Sequence, residues 1–179
     1  MSETAKPKIV VLAGPTGIGK TSLSLEIAER FHGAIVGADS MQVYRYMDIG
    51  TAKPDAREQA QAPHYMIDVA SPDEPFDAAA YARMARAAAC RILDQGRLPL
   101  LVGGTGFYIK ALLHGLFTSK PADSKVRGRL HEEAAEKGSH PLYDRLRQTD
   151  PKAADRIHPN DAYRIIRALE VYEITGRPM

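Results

Sequence analysis

Ile9-Val10-Val11-Leu12-Ala13, running directly into Gly14-Pro15-Thr16-Gly17-Ile18-Gly19-Lys20-Thr21, is the stretch from which the rest of the chain can be read. Its first half is a continuous apolar run, the pattern of a strand buried on both faces of a parallel sheet. Its second half fits G-x-x-x-x-G-K-[ST] at every fixed position. Thr21 to Phe31 then sets Leu23, Ile27 and Phe31 at helical spacing and leaves Glu26, Glu29 and Arg30 for solvent. Strand, glycine loop and helix start in that order are the context a phosphate-binding loop needs. Glycines let the backbone turn its N–H groups inward, and the helix N-terminus adds partial positive charge where phosphate oxygens sit. Lys20 supplies a full charge, and the Thr21 hydroxyl suits a Mg2+ ion that keeps most of its waters. A turn that binds nothing would share the glycines but not both flanks.

The composition is that of a globular protein. Of 179 residues 44% are hydrophobic and 26% charged, enough for one well-buried α/β domain with a small appendage. One cysteine, Cys90, excludes an internal disulfide framework, and its Ala-rich helical setting suggests a small buried apolar role. No apolar run approaches the roughly 20 residues of a membrane span, and Met1 to Lys8 holds no signal-peptide core, so a cytoplasmic, membrane-free protein is expected. Net charge is only +2, and the excess lies in residues 120–179, which carry 12 Lys+Arg against 10 Asp+Glu. So small an imbalance does not announce nucleic acid by itself.

Further along, residues 1–7 read as a polar tail. Gly33 to Ala38 reads as a second strand ending at Asp39-Ser40, and Tyr65 to Val69 as a third. Residues 41–63 are loop-like, with a helical turn or two over 55–61. A helix is expected from about Asp77 to Gln95, with Ala80, Met84, Ala88 and Ile92 on one face and Gly96 as its stop. Leu98 to Val102 is a strong strand candidate running into Gly103-Gly104-Thr105-Gly106, with a helix over 107–114. Alternation of apolar strands with helices implies an α/β fold: a phosphate-loop-type parallel sheet with helices on both faces. Ligands in such sheets lie beyond the carboxyl ends of the strands, which places the phosphate loop, Asp39-Ser40 and Gly103-Gly104-Thr105 beside one crevice. After Pro121 the pattern changes to short charged helices over 123–137, 141–148 and 151–157, a small helical insertion. Asn160 is the expected cap of a last helix, 161–174.

A phosphate loop most often serves a nucleotide kinase or NTPase, which usually holds Mg2+ with an acid at the end of a second apolar strand. Here that strand ends in Gly-Gly-Thr, and Asp68 follows only a weak strand, so a kinase remains the alternative. Asp39 is the other carboxylate sent to the crevice. It can cap the following turn, support a metal, or act as a general base. Gln42 has an amide suited to a base edge and equally to stabilising a turn. Arg164 and Arg167 share a helical face opposite Ile165, Leu169 and Tyr172, a pattern that a solvated basic face also gives. The histidines form no metal or triad spacing: His64, His131 and His140 read as surface groups, and His158 as fixing the turn before the last helix.

Four blocks then carry a resemblance: Gly14 to Thr21; Ala38-Asp39-Ser40-Met41-Gln42-Val43-Tyr44-Arg45-Tyr46-Met47-Asp48-Ile49-Gly50-Thr51-Ala52-Lys53-Pro54; Leu101 to Tyr108; and His158-Pro159-Asn160-Asp161 with Arg167 to Tyr172. In that order and spacing they resemble the bacterial tRNA dimethylallyltransferase (tRNA isopentenyltransferase) family, over about Lys8 to Pro178. The resemblance implies transfer of a dimethylallyl group from dimethylallyl diphosphate to the N6 amine of the adenosine adjacent to the tRNA anticodon. It implies Asp39 as the base, with Lys20, Thr16, the loop amides and Thr21-bound Mg2+ on the diphosphate. The tRNA contacts it implies are Asp39, Ser40, Met41, Gln42, Thr105, Arg127, Tyr163, Arg164, Ile165, Ile166 and Arg167. The expected organisation is a phosphate-loop core over 1–120, an insertion over 121–158 gripping the anticodon arm, and a return helix of the core over 159–179, in a monomer. Tyr46 stands where the family usually has glycine, and Tyr65 where it often has histidine. Family members also continue for roughly another domain's length. A piece of a longer enzyme is therefore the expectation, and an inactive tRNA- or phosphate-binding remnant the remaining alternative.

Overall fold

The computed structural model describes residues 8–116 and 123–179, which form two compact units. The expected N-terminal tail over 1–7 and the expected junction at 120/121 lie outside the described residues.

The first unit is built on four parallel strands in the order β1-β4-β2-β3. These are β1 (Val10–Ala13), β2 (Gly33–Gly37), β3 (His64–Tyr65) and β4 (Leu98–Gly103). Side chains alternate across a strand, so β2 and β4 sort their residues onto two faces. Ala34, Val36 and Leu101 join one core with Tyr81 and Ala85 of α3 (Ala78–Asp94) and Tyr108 and Ala111 of α4 (Gly106–His114). Ile35 and Leu100 join the other with Leu25 and Ala28 of α1 (Lys20–Arg30) and Ala62, just beyond α2 (Ala56–Gln61). Helices cover both faces, as the all-apolar strands require. Each fully buried leucine or isoleucine here contributes about 1.5–3 kcal/mol.

Several expectations shift. The third strand shrinks to two residues because Met66 (φ 67°) and Asp68 (φ 54°) adopt left-handed backbone that cannot continue a ladder. On α1 the buried residues are Ser24, Leu25 and Ala28, while Leu23 and Phe31 are exposed, so the inward face is rotated from the one the large apolar residues suggested. On α3 the inward residues are Ala78, Tyr81, Ala85, Ala88 and Ile92, and Cys90 is exposed rather than buried.

The second unit contains α5 (Ser124–Lys137), α6 (His140–Thr149), α7 (Pro151–Ala154) and α8 (Ala162–Thr175). Its core gathers Leu130, Leu142, Leu146, Ala153 and Ala154 around Ile165, Ile166, Ala168 and Leu169. The last helix, expected to return to the sheet domain, thus lays its apolar stripe into the same core as α5–α7. Its cap is Asp161, which accepts from Arg164 N at 3.1 Å, one residue beyond the expected Asn160. His158 does fix the turn, with Nδ1 accepting from Asn160 N at 3.2 Å. Among the described residues no helix is long and apolar enough to cross a membrane.

Parallel strands bring their carboxyl ends to one edge, and backbone contacts bind those ends tightly. Gly14 N donates to Gly103 O at 3.3 Å, Ala38 N to Val102 O at 2.7 Å and Thr105 N to Ala38 O at 3.0 Å. A Cβ on Gly103 would lie 2.2 Å from the Ala38 carbonyl oxygen, so only glycine fits. Gly103→Ala is expected to lower stability by about 2–4 kcal/mol, read as a lowered urea midpoint; an unchanged midpoint would contradict this account of the contact.

Candidate active site

At that shared edge an open cavity of about 280 Å3 is lined by the phosphate loop and α1 on one side and by Asp39, Gln42, Ala52 and Pro54 on the other. Gly19 caps α1 at φ 88°, left-handed backbone that glycine alone adopts without strain, and no side chain caps the helix. Among the described residues the first-turn amides thus receive no side-chain cap and can serve phosphate oxygens. Lys20 Nζ donates to Pro15 O at 2.7 Å, which holds the ammonium over its own loop. Thr16, Gly17, Gly19, Lys20 and Thr21 line the cavity. Gly14, Pro15 and Ile18 complete the turn; Ile18 is exposed, so its contribution is backbone.

Asp39 follows β2 at the same edge. Its Oδ1 accepts from Met41 N at 2.9 Å and from Gln42 N at 3.4 Å, so the carboxylate does cap its turn. Among the described residues Oδ2 receives no hydrogen bond, and Asp39 lines the cavity. Capping thus engages Oδ1 and not Oδ2. Ser40 N donates to Thr105 Oγ1 at 2.9 Å, which ties the ends of β2 and β4 by side chain as well as by backbone. Met41 is exposed.

Gln42 and Lys53 are among the side chains that hold the loop from Gln42 to Pro54. Gln42 Nε2 donates to Thr51 O (3.1 Å) and Ala52 O (2.9 Å), so the amide nitrogen stabilises the loop while the residue also lines the cavity. Lys53, only 5% exposed, donates to Tyr44 O (2.9 Å) and to the carboxylates of Asp48 and Asp68 (both 2.7 Å). Asp68, the acid a kinase would have needed for its metal, is thus tied to a lysine and does not line the cavity. Around Lys53 the backbone takes positive φ at Tyr46 (67°) and Ala52 (50°), strain that persists only where neighbours over-determine it. Burial by itself would lower the Lys53 pKa; hydrogen bonds and charge from Asp48 and Asp68 together outweigh it and hold the group above 10.5.

Two contributors were not visible in the pattern. His64 is half-buried on the cavity wall rather than a surface group. Its Nδ1 lies 2.8 Å from Ala62 O, which assigns the proton to Nδ1 and leaves Nε2 an acceptor. Burial holds its pKa below the ordinary 6.5, against the raising effects of the Ala62 carbonyl and Glu58. Tyr81 and Tyr108 stack at 4.1 Å behind the strand ends, and Tyr81 OH donates to Gly37 O at 2.8 Å. Burial raises both phenols, so they remain protonated. His64 sits one residue before the strand expected over 65–69, and neither it nor the tyrosine stack left a sequence signal.

In the second unit the expected tRNA contacts divide. Tyr163 is exposed, and Arg164 extends to Asp161 at 3.0 Å. Arg127 and Arg167 meet at Glu170. Ile165 and Ile166 are buried in the helical core, where α8's apolar stripe requires them, and Ile166 also lines the notch beside Arg127 and Arg167.

Fold and site together define a phosphate-loop α/β protein with a carboxylate opposite the phosphate cradle. The family model described as IPP transferase matches residues 42–179, and the chain belongs to that family. It is 61% identical to the tRNA dimethylallyltransferase of Desulfosudis oleivorans, over 97% of this chain and 55% of that protein. Among solved structures it is similar to the tRNA isopentenylpyrophosphate transferase of Bacillus halodurans (45% identity, TM-score 0.63, covering 97% of this chain and 57% of that one). It is similar also to a eukaryotic dimethylallyltransferase acting on tRNA (31% identity, TM-score 0.83, 96% and 43%). The chain spans about half the length of the curated relatives it matches.

The Lys53 cluster yields a stability test with a definite pH window. Lys53→Met is expected to cost about 1–3 kcal/mol at pH 7, measured by urea unfolding. A raised lysine pKa contributes stability that is complete below the unfolded value, 10.5, and is lost as pH rises through the folded value. The gap between wild type and variant should therefore stay level up to about pH 10 and narrow above it. A gap that widened with alkaline pH would contradict the assignment.

Proposed function

We propose that the whole protein transfers a dimethylallyl group from dimethylallyl diphosphate to the N6 amine of the adenosine adjacent to the tRNA anticodon, and that this chain contributes the diphosphate cradle and the base. The observation that carries the reading is the convergence of Asp39 with Lys20 and Thr21 on one cavity. The names and 61% identity of relatives support the same chemistry, as does the tRNA on which the eukaryotic neighbour acts.

The exocyclic amine of adenine is a weak nucleophile because its lone pair is delocalised into the ring. Asp39 Oδ2 takes its proton as the new C–N bond forms and the C–O bond to diphosphate breaks. The loop amides, Lys20 and Thr16 receive the negative charge that builds on the departing diphosphate. The cavity's donors near the loop are hydroxyls and a carboxylate. Among the described residues no three His, Cys, Asp or Glu come together. That set fits Mg2+ held by the Thr21 hydroxyl, water and substrate oxygens. When bound, the ion would neutralise diphosphate charge. The adenine must leave its stack to reach Asp39, which is base flipping. Ser40, Met41, Gln42 and Thr105 flank the carboxylate in this reading, and Arg127, Tyr163, Arg164 and Arg167 take phosphate or base contacts on the anticodon arm. The protein acts in the cytoplasm as a monomer.

The kinase alternative loses support from Asp68, whose carboxylate is tied to Lys53. The test is to incubate a longer chain, extended to the length of its relatives, with unmodified tRNA and dimethylallyl diphosphate, and to assay prenylated adenosine by mass spectrometry. Asp39→Asn is expected to lower kcat by about 100- to 10,000-fold while leaving diphosphate binding nearly intact. Full activity in Asp39→Asn would remove the base role. Absence of product in the wild-type chain, with phosphate transfer from ATP in its place, would favour a kinase.

A further inference from the structure

Glu170 is a buried charge between two surface cations. It lies on α8 with its side chain 0% exposed, among Leu169 and Val171. Its Oε2 accepts three guanidinium N–H groups: Arg127 Nε at 3.3 Å and Nη2 at 3.0 Å from α5, and Arg167 Nη1 at 2.7 Å from α8. Oε1 is buried without a hydrogen-bond partner among the described residues. The two arginines nonetheless keep 44% and 37% of their side chains exposed. Between them a notch of about 60 Å3 opens, with His131 and the exposed Tyr163 on its rim.

An apolar residue would serve the helical core better than a carboxylate that has lost its water and leaves one oxygen unpaired. What the carboxylate adds is geometric. A guanidinium is a planar fork, and two forks fixed on one oxygen cannot rotate independently. Held this way, the pair presents a fixed cationic surface instead of two flexible side chains that must be ordered at the moment of binding.

We propose that Glu170 is a positioning residue that holds Arg127 and Arg167 together as a preformed clamp for the phosphate backbone of RNA. The inference rests on the reading of the protein as a tRNA-modifying enzyme and adds to it a residue that touches no RNA. It makes a prediction of unusual sign. Removing a negative charge from a basic face should tighten RNA binding if only net charge mattered. Loss of positioning predicts the opposite.

The experiment measures binding of a synthetic anticodon stem-loop RNA to the 179-residue chain by fluorescence anisotropy across a salt series. Circular dichroism at the assay temperature establishes that each variant is folded. Glu170→Gln is expected to weaken binding about tenfold and to flatten the salt dependence by roughly one phosphate contact. Arg127→Lys keeps the charge but loses the fork, and it is expected to show a comparable loss; it carries the test alone if Glu170→Gln does not fold. Binding by either folded variant as tight as wild type, with only a lowered melting temperature, would overturn the positioning role and leave the RNA reading standing. No salt-dependent binding by the wild-type chain would overturn the clamp, while the prenyl-transfer assay on the extended chain tests the reading separately.

Discussion

Ala38 and Gly103 pass so close that no side chain fits between them, and the site depends on that approach. The carbonyl of Ala38 accepts from Thr105 N, its amide donates to Val102 O, and Gly103 O accepts from Gly14 N. These contacts set the ends of β1, β2 and β4 against one another. From them Asp39 leaves β2 facing the phosphate loop, with Ser40 anchored on Thr105. Two loops that line the cavity are thereby positioned by backbone geometry and by very little side-chain chemistry. A sheet edge tied this tightly is rigid, which is what a carboxylate and a phosphate cradle need if they are to act on the same bound molecule.

Among the described residues each unit also contains an ionic hub built on a buried side chain, and these two hubs have the same logic with opposite charge. In the first, Lys53 gathers a main-chain carbonyl and two carboxylates and stabilises a loop with left-handed residues at Tyr46 and Ala52. In the second, Glu170 gathers two arginines from different helices. Buried charges are costly unless their hydrogen bonds are met, so each hub fixes one arrangement of its neighbours and disfavours others. Lys53 shapes a wall of the cavity through Ala52 and Pro54. Glu170 shapes an exposed cationic face.

Much of this was readable in the chain. Apolar runs at 9–13 and 98–102 and the glycine loop between strand and helix fixed both the parallel sheet and the edge at which ligands collect. Asp39 followed from the rule that ligand sites lie beyond strand ends. What escaped the reading depended on long-range or backbone detail. The rotation of α1 was missed because its inward residues are small, Ser24 and Ala28, while the larger Leu23 and Phe31 lie outside. The third strand stopped early at positive-φ residues that no glycine marks. Nothing local in the sequence says that Glu170 is carried inward between Leu169 and Val171 to meet Arg127 from a distant helix. The bonds of Gln42 to Thr51 and Ala52 likewise span a loop whose path no local pattern gives.

The loop is proposed to serve a prenyl diphosphate rather than a nucleotide, although the same amides and lysine would bind either. Calorimetric titration of the chain with dimethylallyl diphosphate and with ATP, each in the presence of Mg2+, tests it directly. The account predicts saturable binding of dimethylallyl diphosphate that Lys20→Ala abolishes, with ATP displaced from the same site as the weaker ligand. Tight ATP binding that excess dimethylallyl diphosphate fails to displace would contradict it.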